Sequence, residues 1–129
     1  MDQPTRQQSL QQKRATHAWA AIEKVPAGIQ KQYGSLVRGL PALIQSDGLG
    51  PALAFLKAKA AGKQDKPHMV AYNHIASWAQ QELSAANGDF LKWLLEQPST
   101  DYRRATTEVL AYLNWVKRFA EAKGWKDEE

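Results

Sequence analysis

Along this chain apolar residues recur every three or four positions, and no stretch alternates apolar with polar over the length of a strand. The spacing predicts an all-α protein with six helices, at about 4–25, 28–47, 51–62, 67–86, 89–97 and 99–123. Helix formers fill each segment, and Pro26 with Gly28, Gly48 with Gly50, Gly62 to Pro67, Asn87-Gly88 and Pro98 part them. Such short connections turn successive helices back on each other. The expectation is a single compact bundle over residues 1–125 with long first and last helices. Gly124 is expected to end the last helix, leaving an acidic tail, 126–129, that frays.

Two stretches are the most informative. In LPALIQSDGLGPALAFLKAK, Leu40 to Lys59, the apolar ridge of one helix runs to Asp47, where Gly48 suits a left-handed cap. Pro51 is expected at the first position of the next helix, where a missing N–H costs nothing. Near the end, Tyr102, Thr106, Val109, Leu113, Val116 and Ala120 form one buried seam, with Ala105, Tyr112, Trp115 and Phe119 as a second ridge. Apolar contact on two sides places this helix centrally, or turns its extra face to another protein. Ser99 is the expected cap, Asp101 favours the positive end, and Arg104–Glu108 and Lys117–Glu121 are expected as i,i+4 pairs.

Length and composition narrow the picture. The 129 residues suit one domain, and the absence of cysteine removes disulfides, thiolate metal sites and cysteine nucleophiles. The polar start reads as no signal peptide, and no run reaches the ~18 apolar residues of a membrane span, so a cytoplasmic protein is expected. Charge is uneven: residues 1–66 hold ten Lys/Arg against four Asp/Glu, and residues 67–129 hold seven against nine. A basic half beside a mildly acidic half suggests a polyanion on one side and a protein on the other.

The first helix concentrates that charge. On a helical wheel Arg6, Lys13, His17 and Lys24 fall within about 20° of one line, which runs about 27 Å, with Arg14 flanking it. Ala15, Ala18, Trp19 and Ile22 lie opposite and are expected to pack. The stripe could track phosphates, and Arg38, Lys57 and Lys59 add to the same half of the chain. Trp19, Trp78 and Trp93 are expected as packing anchors. Trp115 and Trp125 sit beside cations and are the ones placed to stack on bases.

Catalysis finds little support. There is no phosphate-binding loop, nucleophile elbow or His-Glu-x-x-His, and His68 and His74 are six apart rather than four. No metal, cofactor or enzymatic activity is expected. The alternatives are a ribonuclease using His17 or His74 as acid and base, or a stand-alone nucleic-acid-binding protein.

The order LPALIQSDGLGPALAFLKAKA, then YRRATTEVLAYLNWVKRFA, resembles the small subunit of the type III-B CRISPR RNA-silencing (Cmr) complex. The likeness covers about Leu36 to Ala61 and Tyr102 to Ala120, and Pro51 stands where relatives are expected to carry a polar residue. It implies a non-catalytic architectural subunit of an antiviral ribonucleoprotein. Copies would stack head to tail into the minor filament, beside a large polymerase-like subunit and a repeated backbone subunit. They would contact the guide RNA–target RNA duplex through its phosphates. The candidate contacts are Arg6, Lys13, Arg14, Lys24, Arg38, Lys57 and Lys59.

Overall fold

A computed structural model describes residues 9–85 and 89–126. Over these the chain forms six α-helices and no strand: α1 (Leu10–Glu23), α2 (Gln30–Asp47), α3 (Leu49–Ala60), α4 (Pro67–Leu83), α5 (Phe90–Leu95) and α6 (Ser99–Ala122). A 3-10 turn, Ala27–Ile29, leads into α2. The all-α bundle read from the apolar spacing is therefore the fold. The Asn87-Gly88 boundary, Arg6 and the tail beyond Lys126 lie outside the described residues.

Helix ends explain the differences in boundaries. Ser9 is extended and forms a capping box with Gln12: its hydroxyl accepts the Gln12 N–H at 3.1 Å, and the Gln12 side chain accepts the Ser9 N–H at 2.9 Å. Hence α1 starts at Leu10, not near residue 4. Pro98 occupies the N-cap position of the last helix with no side-chain capping bond, so Ser99 is the first helical residue rather than the cap. At its far end Gly124 takes φ +76, the Gly124 N–H reaches the Glu121 carbonyl and the Trp125 N–H reaches that of Ala120. This is a Schellman cap, and it turns the chain back on itself. Trp125 then crosses α2 so closely that a Cβ on Gly34 would stand 2.0 Å from the Trp125 carbonyl oxygen.

The turn between α2 and α3 is a single residue. Gly48 has φ +98 and ψ 159, an extended conformation on the positive side that only glycine adopts freely, rather than the left-handed cap expected. Pro51 is the third residue of α3, not the first. Its missing N–H still removes one orphan donor from the first turn. A second donor, the Gly50 N–H, is taken by the Tyr102 hydroxyl of α6 at 2.7 Å.

The central place expected for α6 holds: it packs against α1, α2 and α4, while α3 packs on α2, α4 and α5. One apolar cluster draws on every helix, including Ile22, Tyr33, Leu40, Leu56, Trp78, Phe90, Leu94, Val109 and Leu113. At its middle Trp78 of α4 stacks on Tyr112 of α6, with centroids 5.3 Å apart and planes 7° from parallel, an aromatic pair of about 1 kcal/mol beyond its buried area.

Candidate nucleic-acid interface

Helix α1 sits rotated from the expected orientation. Its buried residues are Ala18, Ala21 and Ile22, and Arg14 and His17 lie on the same side, turned inward. Trp19, expected in the packed face, is 44% exposed. It meets Phe119 edge-on at 5.1 Å, with the Lys123 ammonium 4.9 Å above its ring. Trp78 is a packing anchor as expected, and Trp93 is partly buried against the core. Trp115 and Trp125 also pack: Trp115 donates to Gln11 at 3.2 Å, and Trp125 meets the Tyr33 ring edge-on.

The rotation has a cause in α6. Glu108 is buried on the α6 ridge, between Ala105 and Tyr112, and needs a cation. Arg14 supplies it with a two-pronged bond, Nε to Oε2 at 2.6 Å and Nη2 to Oε1 at 2.9 Å, and Trp78 Nε1 donates to Oε2 at 3.0 Å. Burial pushes the Glu108 carboxyl up, but the bonds from Arg14 and Trp78 outweigh it and hold the carboxyl below its ordinary value. The same bond raises Arg14. Glu108 faces α1, so its direct ion pair is with Arg14 rather than the expected Arg104, which only adds to the charge lowering the carboxyl. On the outer face Arg118, not Lys117, meets Glu121, at 3.0 Å.

With Arg14 engaged, the stripe on α1 reduces among the described residues to Lys13 and Lys24, both exposed. They flank a groove between α1 and α4 made of two adjoining hollows of about 270 Å³ each. His17, Ala20 and Gln81 line both hollows, and His74 and Ser77 line the one beside Lys24. Among the described residues no carboxylate lines either hollow.

Buried tyrosines hold both histidines from behind. Tyr112 Oη lies 2.7 Å from His17 Nδ1, whose Nε2 lies 3.0 Å from Ser77 Oγ, and Tyr33 Oη lies 2.7 Å from His74 Nδ1. Burial pushes His74 down to about 4, helped by His17 and Lys24, and burial with Lys24 lowers His17. Both rings are thus neutral at pH 7.

The other basic candidates stand apart from this groove, for none of Arg38, Lys57 and Lys59 lines it. Arg38, exposed on α2, donates to Ser35 Oγ at 3.4 Å. Lys57 pairs with Asp89 at 2.9 Å and lies 5.0 Å above the Tyr72 ring. Asp89 caps α5 and also accepts the Tyr72 hydroxyl. Lys59 is exposed, 5.9 Å above the Phe55 ring. Among the described residues no three His, Asp or Glu side chains converge as a metal ion would need. Sequence reasoning missed Glu108 as a buried anchor, though its spacing from Ala105 and Tyr112, three before and four after, placed it on the buried ridge. It also missed Ser77 and Gln81, which carry no signal until α4 lies beside α1.

A family model described as CRISPR-associated protein (Cas_Cmr5) matches residues 10–123, which takes in all six helices but the α1 cap. The chain belongs to the Cas_Cmr5 family. A relative from Thermus thermophilus, the CRISPR system Cmr subunit Cmr5, is 31% identical over 118 residues, covering 83% of this chain and 93% of that protein. Both stretches that carried the resemblance, Leu36 to Ala61 and Tyr102 to Ala120, fall inside the Cas_Cmr5 match. In the structure they touch each other, through Gly50 and Tyr102. No helix among the described residues is long and apolar enough to cross a membrane.

Proposed function

We propose that this chain is a non-catalytic, cytoplasmic subunit of a type III-B Cmr effector in CRISPR antiviral defence. It stacks head to tail with its own copies beside the large polymerase-like and repeated backbone subunits. There it contacts the guide–target RNA backbone without reading sequence. Membership of the Cas_Cmr5 family supports the assembly. The observation that carries the RNA contact is the groove flanked by two exposed lysines, Lys13 and Lys24, and lined by no carboxylate among the described residues. Exposed lysines supply affinity by releasing counterions from phosphates, while guide pairing supplies specificity. Arg38 and Lys59 are further contacts on the exposed surface, and Lys57 joins them if RNA displaces Asp89. Arg14 is committed to Glu108 and acts by holding α1 on α6.

The test is affinity purification of the tagged chain from its native cells. Recovery of the other effector subunits with short guide RNAs is expected. Recovery of the chain alone, or with unrelated transcripts, overturns the assembly. In the recovered complex, Lys13→Glu with Lys24→Glu is expected to weaken RNA binding and to flatten its salt dependence, by about one unit of slope per lost contact. Unchanged binding at physiological salt removes the groove lysines from the interface.

A further inference from the structure

The groove between α1 and α4 offers more than two lysines. Its floor is ordered by hydrogen bonds that begin in the core. Tyr33 is fully buried, so its hydroxyl hydrogen requires an acceptor, and His74 Nδ1 lies 2.7 Å away. Burial pushes this phenol well above its ordinary value, so Tyr33 keeps its proton and donates it. A neutral imidazole that accepts at Nδ1 carries its own hydrogen on Nε2. His74 therefore offers the groove a donor.

The same logic runs through the neighbouring pair. Tyr112 is fully buried and donates to His17 Nδ1 at 2.7 Å, which places the His17 hydrogen on Nε2. That hydrogen points at Ser77 Oγ, 3.0 Å away, and Ser77 accepts it. The Ser77 hydroxyl hydrogen is then left to donate elsewhere, at an exposed position on the groove wall. Lys24 contributes three further donors on the opposite wall. Among the described residues no carboxylate lines the groove to accept them.

We infer that this groove is a discrete binding site for one phosphate group, held by His74 Nε2–H, the Ser77 hydroxyl and the Lys24 ammonium, with Gln81 beside them. The inference rests on the RNA-contact reading only for the source of the phosphate. A backbone phosphate and free inorganic phosphate present the same oxygens. The site differs from a diffuse basic surface because two of its donors, His74 Nε2–H and the Ser77 hydroxyl, are set through Tyr33 and Tyr112 before any ligand arrives. Little reorganisation is then needed on binding.

The probe is inorganic phosphate titrated into the full chain at constant ionic strength, read by the side-chain NMR signals of the histidines. Saturable shifts at His74 and His17 are expected. Lys24→Gln and Ser77→Ala, both at exposed positions, are each expected to raise the dissociation constant by about tenfold. Lys92→Gln, on α5, is expected to leave it unchanged. A non-saturating response, or one that survives both groove variants, overturns the site. A guide–target RNA duplex is then added to the phosphate-bound protein. Displacement of phosphate assigns the site to the RNA backbone. Retention of phosphate supports the site but gives it to the free anion, and overturns the RNA contact at this groove while leaving family membership untouched.

Discussion

The Gly50 N–H donates to the Tyr102 hydroxyl at 2.7 Å, so α6 caps the first turn of α3 from across the bundle. Gly48, the residue in the capping position, has no side chain with which to do so. The cap also sets a size limit: a Cβ on Gly50 would meet the same hydroxyl at 2.9 Å. Tyr102→Phe is expected to cost about 1 kcal/mol through the lost bond. Gly50→Ala is expected to destabilise despite the better helix propensity of alanine. The two changes share one contact, so their double-mutant cycle should show a smaller total than the sum. Denaturant unfolding of the four proteins measures it, and strict additivity would show that the two residues do not bear on one another.

Glu108 is the electrostatic centre of the α1–α4–α6 junction, with Arg14 and Trp78 both donating to it. Glu108→Ala strands the Arg14 guanidinium in a mostly buried site. Breaking a buried pair from one side costs about 3–5 kcal/mol, which in a domain of this size lowers Tm by roughly 10 °C or more. Thermal unfolding followed by circular dichroism reads this directly. Arg14→Glu should be as damaging. A loss of RNA binding in that variant therefore reports misfolding, whereas Lys13→Glu and Lys24→Glu should each change stability by no more than about 0.5 kcal/mol.

The histidines predict how stability follows pH. His74 is held at about 4 in the folded protein by burial, with His17 and Lys24 adding to it, against an ordinary value near 6.5. Between these values the unfolded chain binds the proton and the folded one does not. Stability therefore falls as pH drops from about 6.5 toward 4, and is fully present above 6.5. The lowered His17 acts in the same direction, and Glu108 adds a further loss as its own carboxyl protonates. His74→Gln should flatten the decline between pH 6.5 and 4.5, as read from urea midpoints. An equally steep decline in that variant would place the titration elsewhere.

How much of this was legible in the sequence depends on whether the determining partner is near or far along the chain. Helix positions followed from local signals, because Gly48, Pro98 and Gly124 act within a turn of themselves. The start of α1 was legible too, in the Ser9 and Gln12 spacing of a capping box, but a run of helix-compatible residues upstream concealed it. The orientation of α1 was not legible. A wheel ranks Arg14 as polar and turns it outward, yet Glu108, distant in the chain, draws it in, and Trp19 is displaced to the surface. Lys13 and Lys24 are exposed as the wheel expected, because an exposed charge needs no partner to be placed. The groove they flank required α4, so Ser77 and Gln81 could not be read in advance.

Gly34 offers a test in which the sign of one substitution reverses. In the interior of α2 glycine costs about 1 kcal/mol relative to alanine, so Gly34→Ala ought to stabilise on propensity alone. The obstacle is the Trp125 backbone, whose carbonyl oxygen would lie 2.0 Å from the new Cβ. Backbone held by the Gly124 turn cannot move aside as a flexible side chain would. The substitution must therefore lift Trp125 from its packing against Tyr33 or shift α2. In the full chain Gly34→Ala is expected to lower stability, because the burial lost at a large aromatic, about 2 kcal/mol, exceeds the propensity gain. In a chain ending at Gly124 the same change is expected to raise stability by about 1 kcal/mol over its own glycine parent. Urea unfolding of the two pairs decides it. A loss of equal size with and without Trp125 would mean that the constraint on Gly34 comes from α2 itself and not from the returning C-terminal turn.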